Sequence, residues 1–320
     1  MQRRNLLSIA LATSLLATGA MAQSDKPLRI LVGYPAGGGA DIVARMLADK
    51  MKDELQRPVL VDNKPGAGGR LAAELLKNAA PDGNTLMLSP IVIPVLAPLV
   101  FSKLNYNPAT DFAPVLHATS FHFGMAAPGD APYKTLPDFI KWIQANPTKA
   151  NFGMSGAGSL PHFFGLMVGR EAKVDMVAVP FQGGAPLLTA LAGGQVESGI
   201  DVLAEQLEMH KAGKVRIMAT SGAQRSKATP DVPTFRELGF PAIQAQSWFA
   251  IYAPANTPAA AIAAINTAGN NALNKPDVQE RLSKMSMEAG GGTPADLQKL
   301  QDAETARWAP VVKASGFKAD

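Results

Sequence analysis

Short apolar runs alternate with amphipathic stretches along most of the chain, and this alternation restricts the possible folds more than any other feature. Residues 28–33 and 58–61 have the composition of strands. Between them, apolar side chains recur at helical spacing, at Ile42, Val43, Met46, Leu47, Met51 and Leu55. A helical pattern at 71–78 and a buried strand at 85–88 follow, separated by a Pro-Asp-Gly turn. Strand–helix–strand units of this kind predict parallel strands with helices on both faces, and therefore an α/β fold.

The pattern changes after residue 112 and then resumes. Residues 114–119 and 122–127 are predicted to form two short extended runs, and Thr135 is a good N-cap for a new helix, with Asp138 at the capping-box position. Strands are then predicted at 150–154, 176–179, 196–201, 215–220 and 248–252, and helices from Pro161, at 186–191, at 204–212 and from Pro258 to the end.

An apolar segment at 86–100 has the composition of a membrane span. It carries Pro90, Pro94 and Pro98, and it is shorter than the roughly 17–25 residues that a membrane-crossing helix needs. We therefore expect a buried strand followed by an irregular segment.

The first residues have the order of a secretory signal. Arg3 and Arg4 precede an apolar stretch at 6–17, and Ala20-Met21-Ala22 supplies small residues for cleavage after Ala22. We expect an exported, periplasmic protein; general secretion is favoured, although the paired arginines leave the twin-arginine route open. The leader holds two arginines and no acidic residue, so its removal lowers the net charge from +4 to +2. A charge so close to neutral does not favour nucleic acid or an anionic membrane as a partner.

Length and repetition together predict two domains. The residues left after cleavage reach the size, roughly 250–300 residues, beyond which a single core stops growing. The α/β pattern also falls into two similar sections followed by helices. We expect residues 23–121 plus 247–320 to form one domain and residues 122–246 the other, with the two chain crossings acting as a hinge. The chain contains no cysteine, which excludes disulfides and thiolate sites.

A glycine-rich loop separates the first predicted strand from the first helix. Residues 34–41 read Tyr-Pro-Ala-Gly-Gly-Gly-Ala-Asp. Glycines allow positive φ angles and close backbone approach, and a helix start presents unpaired N–H groups with a partial positive charge. Such a loop can receive an anion without a charged side chain. Its other interpretation is a tight connection with Asp41 as the N-cap, and both interpretations can hold together.

Two later loops repeat this arrangement. Residues 155–159, Ser-Gly-Ala-Gly-Ser, lie between a strand and the helix from Pro161, and a weaker version occupies residues 181–184. Three such loops at the carboxyl ends of parallel strands favour a shared site. If the two domains face each other, the first two loops come from opposite walls of a cleft.

Enzymatic alternatives fit the sequence less well. Residues 153–157 nearly match the G-x-S-x-G nucleophile turn, but Ala157 replaces the last glycine and no downstream Asp and His are evidently paired with Ser155. A secreted serine hydrolase using Ser155 remains the alternative. Dinucleotide and Walker motifs fail because Ile42 stands at the third glycine position and no lysine follows the glycines. The four histidines share no metal-ligand spacing, and we expect neither a cofactor nor a metal.

Segments spread along the chain resemble the periplasmic receptors of tripartite tricarboxylate transporters, also called Bug receptors. They lie at residues 32–41, 62–69, 80–83, 111–114, 155–162, 193–196, 230–234 and 247–249. The resemblance implies a two-lobed, type II-like periplasmic binding protein fold: two α/β domains that close on a ligand in the cleft between them. It also implies a small carboxylate as ligand, membrane subunits of such a transporter as partners, a monomeric state and no catalysis. A receptor that feeds a sensor instead of a permease stays open.

The resemblance and the loops together define the predicted site. Residues 37–40 receive one carboxylate, residues 155–159 close over it, and Phe181 with Asp201 shape the remainder. The full set is Tyr34, Ala36, Gly37, Gly38, Gly39, Ala40, Asp41, Ser89, Ser155, Gly156, Ala157, Ser159, His162, Phe181 and Asp201.

Two departures from the family pattern bear on the ligand. Ala36 and Ala40 stand where the family often has proline and threonine, and residues 89–94 lack the usual polar side chains. With Phe121, Phe123 and Phe181 nearby, this predicts a less polar ligand, such as an aromatic or longer-chain carboxylate. Arg45 and Arg70 lie close to the loops, where either could reach an anion, although we expect both at the surface.

Overall fold

The computed structural model describes residues 26–181, 183–244 and 246–319. The predicted leader and its cleavage after Ala22 lie outside these residues. The described strands are β1 Leu28–Val32, β2 Val59–Asn63, β3 Thr85–Pro90, β4 Phe112–Pro128, β5 Asn151–Met154, β6 Val177–Pro180, β7 Gly199–Val202, β8 Val215–Thr220, β9 Gln246–Pro254 and β10 Met287–Ala289. The described α-helices are α1 Gly39–Leu55, α2 Arg70–Lys77, α3 Ala97–Val100, α4 Pro108–Asp111, α5 Leu136–Ala145, α6 Leu160–Ala172, α7 Gly184–Ala192, α8 Leu203–Lys211, α9 Ala259–Leu273, α10 Pro276–Lys284 and α11 Pro294–Ser315.

The strands form a mixed sheet in the order β2-β1-β3-β9-β4-β7-β5-β6, with β8 and β10 also paired to β4. The strand–helix–strand units are parallel as predicted: β1 pairs with β2 and β3, and β5 pairs with β6 and β7. The pairings of β4 and β9 are antiparallel. The parallel pairing predicted from the strand–helix–strand units therefore does not extend to the centre of the sheet, where β4 and β9 join these units through antiparallel pairs.

A single long strand replaces the two extended runs predicted at 114–119 and 122–127. β4 is 17 residues long, and its register with β9 shifts at Pro114/Leu116 and at His117/Thr119. Bulges of this kind insert an extra residue and break the two-residue periodicity, so the sequence pattern reads as interrupted although the strand continues. The first part of β4 pairs with β9 as far as His122, and the part from Phe123 pairs with β7 and β8.

The segment after β3 is helical, which corrects the expectation of an irregular connection. A π-helical turn occupies Val92–Leu96, and α3 follows it directly. Pro98 lies in the first turn of α3, where a missing N–H costs no intrahelical hydrogen bond. No helix in the described ranges is long and apolar enough to cross a bilayer.

Side-chain alternation places the two large apolar clusters on opposite faces of the sheet. Ile30, Leu88 and Ile251 pack with α1, α9 and α10. Leu31, Met87 and Tyr252 pack on the other face, in a cluster that continues to Phe152, Phe164 and Trp308. Successive strand residues point to opposite faces, so both faces of the sheet are covered by helices, as the apolar runs predicted. The carboxyl ends of β1 and β5 are left to carry the glycine loops.

Candidate functional site

The first glycine loop connects β1 to α1 and is held in place by Asp41. Gly38 is the N-cap of α1, and Gly37 has a φ of 86°. One oxygen of Asp41 accepts a hydrogen bond from the Gly37 N–H at 2.9 Å, and Arg45 Nε donates to the same carboxylate at 3.0 Å. Asn63 Nδ2 donates both to Asp41 Oδ1 and to the carbonyl of Tyr34. Asp41 is therefore an anchor of the loop, whereas the N-cap position belongs to Gly38.

The electrostatics of Asp41 agree with this anchoring role. Burial acts to raise the pKa of its carboxyl, but hydrogen bonds from Arg45, the Gly37 N–H and Asn63 outweigh burial, so the pKa lies below its ordinary value. The side chain is 3% exposed. Its charge is thus already satisfied by protein groups.

The start of α1 keeps unpaired backbone donors. The first N–H groups of a helix have no intrahelical acceptor. In the described part of the chain, no hydrogen bond occupies the N–H of Gly39 or Ala40. Both residues line the cleft described below. They can therefore donate to an anion, which the positive end of the helix dipole also favours.

The second loop connects β5 to α6, and both of its serine hydroxyls donate hydrogen bonds to protein acceptors. Ser155 Oγ donates to Asp201 Oδ1 at 2.8 Å, and Ser159 Oγ donates to the carbonyl of Gly156 at 2.7 Å. Gly158 N–H donates to His162 Nδ1 at 3.2 Å. Among the described contacts, the N–H groups of Ala157 and Ser159 stay unpaired. This loop therefore also offers backbone donors, while its hydroxyl protons are engaged by Asp201 of β7 and by the carbonyl of Gly156.

The third loop, before α7, lies against two carboxyl groups, those of Asp201 in β7 and Glu205 in α8. Gly183, with a φ of 107°, is the N-cap of α7, and Gln182 lies outside the described residues. A β-carbon added at Gly184 would collide with both Asp201 Oδ2 and Glu205 Oε2, so the two carboxyl groups are close neighbours. Burial raises the pKa of Asp201 despite hydrogen bonds from Ser155 and the Val202 N–H. Burial and the charge of Asp201 raise the pKa of Glu205 to about 7.

A cleft of about 620 Å³ lies between the first two loops. Most of its described wall is apolar. The lining residues are Tyr34, Pro35, Gly38, Gly39, Ala40, Gly68, Arg70, Pro90, Val92, Ala97, Val100, Phe101, Phe121, Phe123, Ser155, Gly156, Ala157, Gly158, Ser159, Leu160, Pro161, Val202, Ser247, Phe249 and Ala319. Loops that are more than a hundred residues apart in sequence thus face one cavity.

The cleft includes about half of the predicted site residues. Tyr34, Gly38, Gly39, Ala40, Ser155, Gly156, Ala157 and Ser159 line it. The other seven predicted residues are not among those that line the cleft: Ala36, Gly37, Asp41, Ser89, His162, Phe181 and Asp201. Ser89 is buried and donates to Pro90 O, and the His162 ring stacks on Phe163. Direct contact between these seven residues and a ligand stays a prediction.

Some lining residues were not among the predicted site. Val92, Val100 and Phe101 come from the helical segment after β3, and Ala319 comes from the end of the chain. No local motif marks these positions, because their place in the cleft depends on how α3 and the residues after α11 pack. Arg70 was expected at the surface but lines the cleft, whereas Arg45 is paired with Asp41. The glycine run before Arg70 was the sequence feature that could have indicated its position in the cleft.

The geometry of Ser155 differs from that of a hydrolase nucleophile. Its hydroxyl donates directly to a carboxylate, and His162 Nδ1 accepts from a backbone N–H instead of contacting Ser155. A serine nucleophile needs a hydrogen bond to its base. Within the described residues, the serine, histidine and aspartate therefore do not form a triad.

Comparison with known proteins identifies the family. Residues 43–317 match the model of the tripartite tricarboxylate transporter family receptor. The chain belongs to this family. A UPF0065 protein of Cupriavidus necator is 36% identical to this receptor over 298 residues, with 90% of each chain covered.

Solved structures share the fold of this receptor. Rhodopseudomonas palustris Rpa4515 with adipate is 30% identical, with a TM-score of 0.82, covering 92% of this chain and 98% of its own. MatC of the same organism with bound malate is 34% identical, with a TM-score of 0.77, covering 90% of this chain and 99% of its own. The predicted family and the two-lobed α/β binding-protein fold are confirmed, and the receptor is a solute-binding protein of this family.

Proposed function

We propose that the receptor captures a small carboxylate with an apolar body in the cleft between its first two glycine loops and delivers it to the membrane subunits of a tripartite tricarboxylate transporter. One observation carries this proposal. Unpaired N–H groups of Gly39 and Ala40 on one side, and of Ala157 and Ser159 on the other, belong to loops that line the same cavity. Two helix starts directed at one cleft form a receptor for an anion.

The strength of these donors is sufficient for capture. A hydrogen bond to a charged group contributes about 1.5–3 kcal/mol, so about four donors offer about 6–12 kcal/mol. Micromolar affinity requires about 8 kcal/mol after the costs of association. The backbone can therefore supply much of the affinity, and apolar contacts and closure of the lobes supply the rest.

The wall of the cleft favours an apolar ligand body. Phe121, Phe123 and Phe249 line it beside the loops, and the rings of Phe121 and Phe249 are 5.0 Å apart. Relatives with bound malate and adipate show that the family accepts carboxylates. An aliphatic or aromatic carboxylate would bury its hydrocarbon against these rings, whereas a compact polyhydroxy acid would leave its hydroxyls unpaired there.

The remaining parts of the proposal concern the whole receptor. We place it in the periplasm after cleavage behind Ala22, as a monomer that binds without turnover. The lobes are residues 23–121 plus 247–320 and residues 122–246. This division is supported by β4, whose pairing changes from β9 to β7 and β8 at His122/Phe123.

Isothermal titration calorimetry with a carboxylate panel tests the ligand class. We expect hexanoate, benzoate or adipate to bind more tightly than tartrate or aspartate. A preference for tartrate or aspartate would contradict the apolar ligand body, and failure of every carboxylate would contradict the function itself. An ester-hydrolysis assay on the wild type and on Ser155→Ala addresses turnover: activity that disappears in the variant would establish the hydrolase alternative.

A further inference from the structure

Arg70 is the sole charged residue among the described residues that line the cleft. Its guanidinium carbon lies 3.9 Å from the centroid of the Phe101 ring. Four other arginines of the described residues form ion pairs with acids, among them Arg45 with Asp41 and Arg225 with Glu237. In the described ranges no carboxylate lies within ion-pair distance of Arg70. A half-buried cation in an apolar cleft thus lacks a counter-charge.

Apart from its stacking on Phe101, the local fold gives no structural reason for a cation at this position. Arg70 is the first residue of α2, where the positive end of the helix dipole disfavours a positive side chain. The preceding glycines bring the chain against Tyr34, whose hydroxyl donates to Gly68 O at 3.1 Å. This contact places the start of α2 on the same wall as the first anion-binding loop.

Stacking on Phe101 leaves the hydrogen-bonding edge of the guanidinium available. An arginine that lies on an aromatic face gains cation–π attraction while its N–H donors stay at the rim of the plane. Those donors form a fork that matches a carboxylate in geometry. The guanidinium of Arg70 can therefore bind an anionic group, and no described protein group supplies one.

We infer that Arg70 receives a second anionic group of the ligand, so that the receptor selects dianions with an apolar middle, of which α,ω-dicarboxylates are the simplest class. This inference rests on the proposed function, because the first carboxylate is the one held by the glycine loops. The hydrocarbon between the two charges lies against the phenylalanines, and the far carboxylate pairs with Arg70 beside Phe101.

Calorimetry with matched acids tests this selectivity. Dicarboxylates from succinate to suberate are each compared with the monocarboxylate of the same carbon number, adipate with hexanoate for instance. We expect the best dicarboxylate to bind about tenfold or more tightly than its monocarboxylate partner. Arg70→Gln should reduce this ratio to about one, because the second charge of the dicarboxylate loses its partner.

Two further variants make the result specific. Arg70→Lys keeps the charge but loses the fork and the stacking, so it should retain only part of the ratio. Arg236→Gln removes an exposed positive charge outside the cleft and should leave the ratio unchanged. Thermal unfolding of each variant, together with its monocarboxylate affinity, shows that the cleft is intact.

The outcomes separate this inference from the function on which it rests. Arg70 does not bind a second anionic group if the wild type binds dicarboxylates no better than monocarboxylates, or if Arg70→Gln keeps the wild-type ratio. Either result would leave the proposed carboxylate capture uncontradicted. If the wild type binds no carboxylate of either series, both the function and this inference are wrong.

Discussion

The hydroxyl of Ser155 donates a hydrogen bond to Oδ1 of Asp201 at 2.8 Å. This bond ties the second glycine loop to the end of β7, and it engages the hydroxyl proton of a residue that was predicted to belong to the ligand site. Asp201 Oδ2 has no partner in the described residues, although the side chain is only 2% exposed. Ser155 therefore supports the loop at least as much as it contacts a ligand.

Ser155→Ala should weaken carboxylate binding by about tenfold and lower the free energy of unfolding by about 1–3 kcal/mol, because Asp201 loses its side-chain donor while buried. Calorimetry and urea denaturation measure the two effects. Ser283→Ala, at an exposed position of α10, serves as the control and should change neither. Unchanged affinity in Ser155→Ala would remove Ser155 from the site.

The carboxyl pair of Asp201 and Glu205 should make stability depend on pH. Because the folded-state pKa of Glu205 is about 7 against an ordinary value of 4.5, the folded receptor binds more protons between these values than the unfolded chain does. The contribution of Glu205 to stability is therefore fully present below about pH 4.5 and is lost as the pH rises through about 7. Glu205→Gln should flatten this decline, as measured by chemical denaturation across that range. An equally steep decline in the variant would show that other groups cause it.

Gly33→Ala should destabilise the receptor, since its β-carbon would lie 2.6 Å from the Gly69 Cα and force two backbone segments apart. Such overpacking costs about 1–3 kcal/mol. Gly193→Ala is the matched control, because its β-carbon would have no neighbour closer than 3.4 Å. Denaturant unfolding compares the two variants, and equal stabilities would contradict the close approach of these loops.

Phe317→Ala should reduce ligand affinity as well as stability. The Phe317 ring packs edge-on against the His162 ring, with the ring centroids 5.0 Å apart, and it lies against Gly158. It therefore supports the second loop. Two residues later, the Ala319 N–H donates to Val100 O on the wall of the cleft. Phe240→Ala, at another half-buried phenylalanine, should lower stability without lowering affinity. Calorimetry distinguishes the two, and a similar affinity in both variants would show that Phe317 does not support the loop.

Elements with a local periodic signal were predicted well. The helix capped by Thr135 begins where the sequence placed it, with the Thr135 hydroxyl accepting from the Asp138 N–H, and β8 has the predicted bounds. The elements that were wrong depend on distant partners. Bulges conceal the continuity of β4, and the three residues of β10 become a strand only because they pair with β4.

The candidate site divides in the same way. Glycine loops at strand ends were visible in the sequence, because positive φ angles and helix starts have local residue requirements. Packing between distant segments decides the apolar wall from α3, the contribution of Ala319 and the position of Arg70. These features were therefore not visible in the sequence.

By itself, the sequence determined the α/β class, the receptor family and the glycine loops at the strand ends, since each follows from the order and local chemistry of the residues. Only the tertiary structure decided which groups remain free for a ligand. It assigned the Ser155 proton to Asp201, paired Arg45 with Asp41 and left Arg70 without an acid among the described residues. The physical reason is that a donor or a charge is available only after its neighbours in space have been satisfied, and those neighbours lie far away along the chain.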